Sequence, residues 1–198
     1  MPVLKICLFG GTFDPPHIGH LLIAQTICEA ENFDKIIFVP ALIPPHKRSN
    51  KVTPVDLRLQ MLQSALASNP KFEISEIEIR RGGVSFSIDT ILEIKQSMKL
   101  DRENLYFLIG SDTLKQFHTW KDPERILAEC QVIVALRPGF KPGEIPNWIF
   151  RQVRFANIPR IEISSTTIRK RWRENKTIRY MVTQPVWEFI NQHNLYSE

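Results

Sequence analysis

Short apolar runs alternate with amphipathic segments along most of the chain. Residues 3–9 and 35–39 are nearly continuous apolar runs, which are typical of strands buried on both faces of a sheet. Between them, over residues 17–31, apolar side chains recur three and four positions apart, and this spacing predicts a helix. A strand, a helix and a further strand in this order form a βαβ unit, whose connection is expected to be right-handed.

The same alternation continues after the first βαβ unit. It predicts strands at residues 72–79, 105–109, 132–136 and 160–163, and helices at residues 53–68, 87–98, 123–129 and from 164 onward. We therefore expect an α/β fold with a Rossmann-like, doubly wound, mostly parallel sheet and helices on both faces. No repeat or long polar linker divides the chain, so residues 1–198 are predicted to form one domain with a small C-terminal helical region at 164–198.

The charge balance favours an anionic ligand. The chain has 198 residues, of which 24% are charged, and its formal net charge is +5. A positive field concentrates phosphates around a cleft. The longest basic cluster, residues 169–173, is short and falls within a predicted helix, so nucleic acid is the less favoured partner.

The cysteines and the lengths of the apolar runs bear on location. Cys7, Cys28 and Cys130 lie in or beside apolar runs without the spacing of a metal site, and we expect them to be reduced core residues. The apolar stretch before Gly10 is too short for a signal peptide, and no run approaches the ~20 residues of a membrane span. We predict a cytoplasmic protein without a membrane partner.

The run that follows the first strand is the strongest candidate site. Residues 10–20 read Gly-Gly-Thr-Phe-Asp-Pro-Pro-His-Ile-Gly-His. In doubly wound sheets, ligands bind beyond the carboxyl ends of the strands. Gly10 and Gly11 allow a backbone to approach a phosphate or sugar closely, and Thr12 and Asp14 add a hydroxyl and a carboxylate.

Two histidines stand at the start of the helix that follows. His17 and His20 are three apart, so their rings share one face of the first turn. A helix N-terminus attracts anions through its unpaired N–H groups and its dipole, and two imidazoles add donors. The alternative is a capping motif with two surface histidines, but the Gly-rich run directly before them favours an anion site. A zinc site fits poorly, because helical zinc ligands usually lie four apart and no third ligand is evident.

Five blocks of the sequence together resemble one enzyme family. The His-x-Gly-His motif at residues 17–20 resembles the signature that a nucleotidyltransferase superfamily shares with class I aminoacyl-tRNA synthetases, and the whole run at 10–20 resembles bacterial nicotinate mononucleotide adenylyltransferases. The other blocks follow in the family's order: Pro44-Pro-His-Lys47, Gly110-Ser-Asp112 with Trp120, Arg137-Pro-Gly139 and Ile163-Ser-Ser-Thr-Thr-Ile-Arg169. The synthetases are far larger and have a tRNA-binding region, for which this chain has no room.

This resemblance implies a reaction. AMP would pass from ATP to nicotinate mononucleotide, which yields nicotinate adenine dinucleotide (deamido-NAD) and pyrophosphate in NAD biosynthesis. Such a transfer needs positioning and charge stabilisation rather than a covalent intermediate. The implied catalytic residues are His17, His20 and Arg169. The implied ATP-binding residues are Gly10, Gly11, Thr12, Phe13, His17, His20, Ser164, Ser165, Thr166 and Arg169.

The last block supplies the second part of the implied ATP site. Ser164, Ser165 and Thr166 stand at a predicted strand-to-helix turn, where hydroxyls and N–H groups can cradle phosphate. Arg169 then reaches the β and γ phosphates. The alternative is an N-cap box with a solvated arginine, and the resemblance favours phosphate binding.

The nicotinate ring sets the requirements for the acceptor pocket. The ring is flat and has a carboxylate, so it needs an aromatic stacking surface and hydrogen-bond donors. The resemblance assigns the stacking to Trp120. The acceptor-binding residues it implies are Asp14, His46, Lys47, Ser87, Asp89, Thr90, Gly110, Asp112, Trp120 and Arg137. Phe86 and Ser87 replace the Tyr and Thr common in the family, which leaves the selectivity between acid and amide open.

Magnesium is the cofactor that the reaction implies. It bridges phosphate oxygens and offsets their charge. Asp14 and Asp112 are candidates for outer-sphere contacts, but Mg²⁺ is commonly held by phosphates and water. We therefore predict no protein metal ligand.

Two other functions compete with this interpretation. One keeps the chemistry and changes the acceptor to phosphopantetheine or nicotinamide mononucleotide, or moves a cytidylyl group; residues 44–47 and Trp120 favour the pyridine nucleotide instead. The other is a non-catalytic nucleotide- or RNA-binding module that uses residues 169–173, against which the intact pair of His17 and His20 argues. Homo-oligomer formation is left open by the sequence.

Overall fold

Six parallel strands form one sheet. The computed structural model describes residues 4–45, 52–137 and 139–197. Within these residues the strand order is β3-β2-β1-β4-β5-β6, and every neighbouring pair is parallel. The strands are β1 (Ile6–Gly11), β2 (Lys35–Pro40), β3 (Phe72–Ile74), β4 (Leu105–Gly110), β5 (Gln131–Leu136) and β6 (Val153–Asn157). The order reverses between β1 and β4, so the predicted doubly wound, Rossmann-like fold is confirmed.

Helices cover both faces of this sheet. In the part of the chain that the structure describes, they are α1 (Ile18–Ala30), α2 (Val55–Leu66), α3 (Ile77–Arg81), α4 (Ser87–Ser97), α5 (Ser111–Leu114), α6 (Pro123–Glu129), α7 (Asn147–Phe150), α8 (Ser165–Arg173) and α9 (Gln184–Gln192). Cys7 of β1 joins the apolar core under α1 and α2, and its neighbour Leu8 joins the core under α4 and α6. Burial on both sides explains the continuous apolar run of β1. No helix in the described ranges is long and apolar enough to cross a membrane.

The C-terminal helices α8 and α9 form a third apolar cluster with α2. Met61 of α2, Ile168 of α8 and Ile190 of α9 are all fully buried in it. The cluster brings the end of the chain beside the loop between β1 and α1, where the Ile18 N–H donates to the Met181 carbonyl at 2.9 Å. The N-terminal end of α8 therefore lies near the candidate site at the end of β1.

Two of the predicted strands are wrong, one in its bounds and one in its existence. The strand predicted at residues 72–79 ends at Ile74, and residues 77–81 form the short helix α3. Ile77 reaches the core from a helical turn, and Gly82, with φ of 74°, follows the end of α3. The alternation of isoleucine and polar residues in this segment resembles an exposed strand, although only three residues pair with β2.

The strand predicted at residues 160–163 is absent from the sheet, and the last strand is β6 instead. β6 pairs only with β5, so it lies at the edge of the sheet. An edge strand does not need a continuous apolar run, and the exposed Arg154 interrupts the apolar pattern of β6. The sequence therefore contained no signal as clear there as in the central strands.

Candidate active site

A central cleft opens at the carboxyl ends of β1, β2, β4 and β5, where the strand order reverses. Its volume, counted out to open solvent, is about 1250 Å³. Parallel sheets bind ligands at this point because the loops after neighbouring strands separate there. The residues predicted from the sequence that line this cleft are Gly10, Gly11, Thr12, His20, Ser87, Gly110, Asp112, Trp120 and Arg137.

Phe13 lies beneath this cleft and not in it. Its side chain is 2% exposed, and its backbone has a φ of 49°. Its ring meets the rings of Phe9 and His20 edge-on, with centroids 5.7 and 5.1 Å apart. A Cβ on Gly11 would lie 2.8 Å from the Phe13 ring, so only glycine leaves room for this packing. The Phe13 side chain therefore supports His20 from the core, and the ATP contact of Phe13 stays a prediction.

His17 and His20 cap the first turn of α1 reciprocally. The His20 N–H donates to Nδ1 of His17 at 3.3 Å, and the His17 N–H donates to Nδ1 of His20 at 3.2 Å. The two rings stack with centroids 3.6 Å apart and an interplanar angle of 19°. Because Nδ1 accepts in both rings, a neutral imidazole at either position has its proton on Nε2. The capping part of the alternative is thus realised, but His17, at 2% exposure, is not a surface histidine.

The two rings face different cavities. His20 lines the central cleft, whereas His17 lines an adjoining narrow pocket with Gly19 and Ile163. Arg137 lines both. A Cβ on Gly19 would lie 3.0 Å from the His17 ring, so a larger residue here would require the ring to shift. The histidine pair stands at the junction between the two cavities.

His17 is held neutral. Its side chain is nearly completely buried, and this burial, with the nearby charge of Arg137, lowers the pKa of the imidazole from 6.5 to about 4. A neutral imidazole with its proton on Nε2 can donate a hydrogen bond at physiological pH without transferring the proton. His17 is therefore suited to hold a phosphate oxygen by hydrogen bonding.

The depressed pKa of His17 predicts an acid-sensitive fold. In the unfolded chain His17 is protonated below about pH 6.5. In the folded chain it is protonated only below about pH 4. The contribution of His17 to the free energy of unfolding is fully present above about pH 6.5. It decreases by about 3 kcal/mol in total as the pH falls towards about 4. We expect the difference in free energy of unfolding between wild type and His17→Asn, which keeps a capping acceptor, to shrink by that amount over this range. Urea unfolding at a series of pH values measures it, and a constant difference contradicts the prediction.

The start of α8 docks on the loop that follows β1. Ser164 is the N-cap, and its Oγ accepts from the Thr167 N–H at 3.1 Å. Ser165 Oγ donates to the Pro15 carbonyl at 2.9 Å, and Arg169 Nη1 donates to the Asp14 carbonyl at 2.7 Å. Arg169 lies at a separate C-terminal cavity of about 1140 Å³, together with Asp14. The predicted phosphate residues Ser164, Ser165, Thr166 and Arg169 are thus gathered beside the histidine loop but outside the lining of the central cleft.

Trp120 forms one wall of the cleft. Its ring packs on Phe107 and Phe117, with centroids 6.1 and 5.2 Å away. It also lines a side pocket of about 420 Å³ with Ser87 and Lys121. The ring is therefore supported from behind and open towards two cavities.

Several predicted acceptor residues bind other parts of the protein. Thr90 is buried, and its hydroxyl donates to Oε1 of Glu78 at 2.6 Å. Asp89 holds Lys121 through both carboxylate oxygens at 2.9 and 3.0 Å. Asp112 accepts from Arg137 at 3.1 Å. His46 and Lys47 lie outside the described residues.

Two buried charged side chains near the cleft were not predicted from the sequence. Glu78 is 6% exposed and lines the cleft from α3, in a segment whose alternation had predicted a strand. Arg58 is 1% exposed and donates to the carbonyls of Thr53, Thr12, Ala41 and Leu42. One signal was available for Arg58: it lies three residues before the core residue Met61, on the apolar face of a predicted helix.

Comparisons with known proteins agree with this arrangement. Residues 8–171 match the protein family described as cytidylyltransferase-like. The nicotinate-nucleotide adenylyltransferase of Bacillus subtilis is 38% identical over 192 residues, which cover 97% of this chain and 98% of that protein. A probable nicotinate-nucleotide adenylyltransferase of Exiguobacterium sibiricum is 41% identical over 98% of this chain and the whole of that protein. The chain belongs to the nicotinate-nucleotide adenylyltransferase family.

A solved structure of similar fold supports the architecture of this adenylyltransferase family member. The nicotinic acid mononucleotide adenylyltransferase of Plasmodium falciparum, complexed with NaAD, superposes with a TM-score of 0.81 over 98% of each chain. At 22% identity this likeness concerns the fold. The family resemblance inferred from the sequence blocks is confirmed.

Proposed function

We propose that this chain transfers the adenylyl group of ATP to nicotinate mononucleotide and releases pyrophosphate. The main supporting observation is the reciprocally capped pair of His17 and His20 at the junction of the central cleft and the narrow pocket. Trp120 lies on the wall of the same cleft and offers a ring face to a flat acceptor. Anion donors and an aromatic surface in one cleft fit a substrate that has both a phosphate and a pyridine ring.

The reaction is an in-line displacement at phosphorus. An oxygen of the mononucleotide phosphate forms a bond to the α-phosphorus of ATP, the bond from that phosphorus to the bridging oxygen of the β phosphate breaks, and pyrophosphate leaves with the electron pair. The Nε2–H groups of His17 and His20 and the N-terminus of α1 supply donors for the phosphate oxygens. Arg169 and the turn at 164–166 provide the second group of donors, for the β and γ phosphates.

Magnesium fits this site as a companion of ATP. Within the described ranges, no group of three His, Cys, Asp or Glu side chains could hold a metal ion, and Asp112 is engaged by Arg137. Phosphate oxygens and water commonly supply most ligands of Mg²⁺. The ion would therefore be held by the triphosphate and would offset its charge.

Loss of the Trp120 ring should weaken acceptor binding selectively. Stacking of a base on an aromatic side chain is worth about 1–3 kcal/mol, so Trp120→Ala should raise the KM for nicotinate mononucleotide by roughly 5- to 100-fold. The KM for ATP should change much less, because the proposed donors for ATP lie on α1 and α8 and not on the wall that Trp120 forms. Steady-state kinetics with each substrate varied in turn measure this split.

The matched control for Trp120 is Trp148→Ala. Trp148 is 38% exposed and lies outside the central cleft. The Trp148→Ala substitution should leave the KM values for ATP and for nicotinate mononucleotide unchanged. Equal rises in the two KM values for Trp120→Ala would show that the ring supports the fold of the whole cleft rather than the acceptor.

Pyrophosphate release tests the function itself. The assay contains ATP and magnesium with nicotinate mononucleotide, nicotinamide mononucleotide or phosphopantetheine as the acceptor. We expect the acid to be preferred. Preference for another acceptor would keep the chemistry and change the substrate, whereas RNA binding that falls steeply with salt and no release would favour the binding-module alternative.

Location and assembly complete the proposal. Cys7, Cys28 and Cys130 are free and buried, which suits a reducing compartment, and we propose the cytoplasm. The proposed partners are the small-molecule substrates ATP and nicotinate mononucleotide, without nucleic acid. Homo-oligomer formation stays a prediction, which light scattering of the purified protein would decide.

A further inference from the structure

The side chain of Asp14 is engaged by the C-terminal end of the chain. Asp14 is 4% exposed and lies outside the lining of the central cleft. The Tyr196 hydroxyl donates to its Oδ1 at 2.7 Å, and the Thr53 N–H donates to its Oδ2 at 3.3 Å. Both carboxylate oxygens thus accept hydrogen bonds from the protein. The Oδ1 atom of Asp14, a residue predicted to meet a substrate, thus has a partner 182 positions further along the chain.

Tyr196 is fixed as a donor. Burial, together with the negative charge of Asp14, raises the pKa of its phenol well above the usual value, so the hydroxyl keeps its proton. The ring packs against the apolar cluster of α2, α8 and α9, and Oη lies 4.0 Å from Sδ of Met61. Packing holds the ring and the carboxylate holds the hydroxyl.

The main chain of Asp14 and Pro15 is the surface on which α8 docks. Arg169 donates to the Asp14 carbonyl and Ser165 donates to the Pro15 carbonyl, at 2.7 and 2.9 Å. Ser165 and Arg169 are four residues apart, so they face the same side of α8. A displacement of the Asp14 main chain would therefore move both docking contacts at once.

We propose that Tyr196 is a positioning residue for adenylyl transfer. Its hydroxyl acts through Asp14: it fixes the main chain at residues 14–15, and this sets the distance between the N-terminal end of α8 and the histidines of α1. The inference rests on the proposed function, in which these two helix ends hold the phosphates of ATP. The acceptor wall at Trp120 is formed by other elements, so the effect of Tyr196 is confined to ATP and to the chemical step.

Tyr196→Phe removes the hydroxyl and keeps the ring in its cluster. We expect kcat to fall about tenfold and the KM for ATP to rise, because small displacements of reacting groups slow reactions that depend on positioning. The KM for nicotinate mononucleotide should stay within about twofold. The measurement is steady-state pyrophosphate release with each substrate varied, together with the midpoint of thermal unfolding.

Tyr180→Phe is the matched control. Tyr180 is 89% exposed, it has the same φ of 67° as Tyr196, and the substitution removes the same hydroxyl. It should behave as wild type in every measurement. A change shared by both variants would come from the substitution itself and would overturn the assignment to Tyr196.

A double-mutant cycle tests the path through Asp14. If the hydroxyl acts through the carboxylate, Tyr196→Phe should lose most of its kinetic effect in an Asp14→Ala background, which has no side-chain acceptor for the hydroxyl, since coupled residues give non-additive changes. Additive losses would overturn the path. A lower unfolding midpoint in Tyr196→Phe with wild-type kcat and KM values would also overturn the inference, because the bond would then be purely structural. Absence of pyrophosphate release from the wild-type protein contradicts the proposed function, and the inference with it.

Discussion

Replacing His20 by alanine is expected to lower kcat for adenylyl transfer by about 10²- to 10³-fold. His20 lines the central cleft, and with Nδ1 engaged by the His17 N–H, its Nε2 is the nitrogen that can donate to a phosphate oxygen. Removal of one well-placed donor to a developing charge typically costs about 2.7–4 kcal/mol in the barrier. The KM values should change less, because the donor matters most in the transition state.

The comparison of two His20 variants separates catalysis from folding. His20→Ala also removes the capping acceptor of the His17 N–H, which is worth about 1 kcal/mol of stability. His20→Asn keeps a side-chain acceptor near that N–H and loses the reach of Nε2. Both variants should lose activity alike in pyrophosphate release, whereas only the alanine variant should unfold at clearly lower urea. Activity retained in His20→Asn would mean that the ring acts through its cap and not through phosphate.

Arg58→Met is expected to cause the largest loss of stability. The Arg58 guanidinium is buried, and burial lowers its pKa, yet it makes hydrogen bonds to four carbonyls from three segments. Two of these segments contain the cleft residues Thr12 and Ala41. Methionine fills a similar volume but leaves the carbonyls without their donor, and an unsatisfied buried group costs about 1–3 kcal/mol. We expect the free energy of unfolding to fall by about 3–5 kcal/mol in total.

The free energy of unfolding of Arg58→Met in urea should be compared with that of Arg125→Met. The Arg125 side chain is 57% exposed and has a long ion pair of 3.8 Å with Glu129 on the same helix. Surface pairs of this kind contribute about 0–1 kcal/mol, so the control should unfold almost as wild type. A loss below about 1 kcal/mol in Arg58→Met would show that water replaces the guanidinium, and that the buried charge contributes little net stability.

The central strands were predictable because both of their faces are buried. β1, β2, β4 and β5 contact helices on both faces, and such burial favours a short continuous apolar run. The edge strands β3 and β6 have one neighbour each, so their sequences obey a weaker constraint. The short helices α5 and α7 span four residues each, too few for a helical period to appear.

Sequence alone determined the fold class, the location of the site at the end of the first strand, and the family. Alternating runs define a parallel sheet, and five ordered blocks define the family, because both are properties of residues close together in the chain. Which of those motif residues face the cleft was decided only by tertiary structure. Phe13 supports a ring from the core, Asp14 binds Tyr196, and Thr90 binds Glu78, all within predicted motifs.

The physical reason for this difference is that many side-chain contacts join residues far apart in the sequence. Local spacing fixes which side of a strand or helix a residue occupies, but the partner it meets there depends on elements far away in sequence. Arg58 reaches a carbonyl 46 residues away, and Arg169 reaches one 155 residues away. A buried polar group needs a hydrogen-bond partner, and that partner is often on a distant element that only the folded chain brings close.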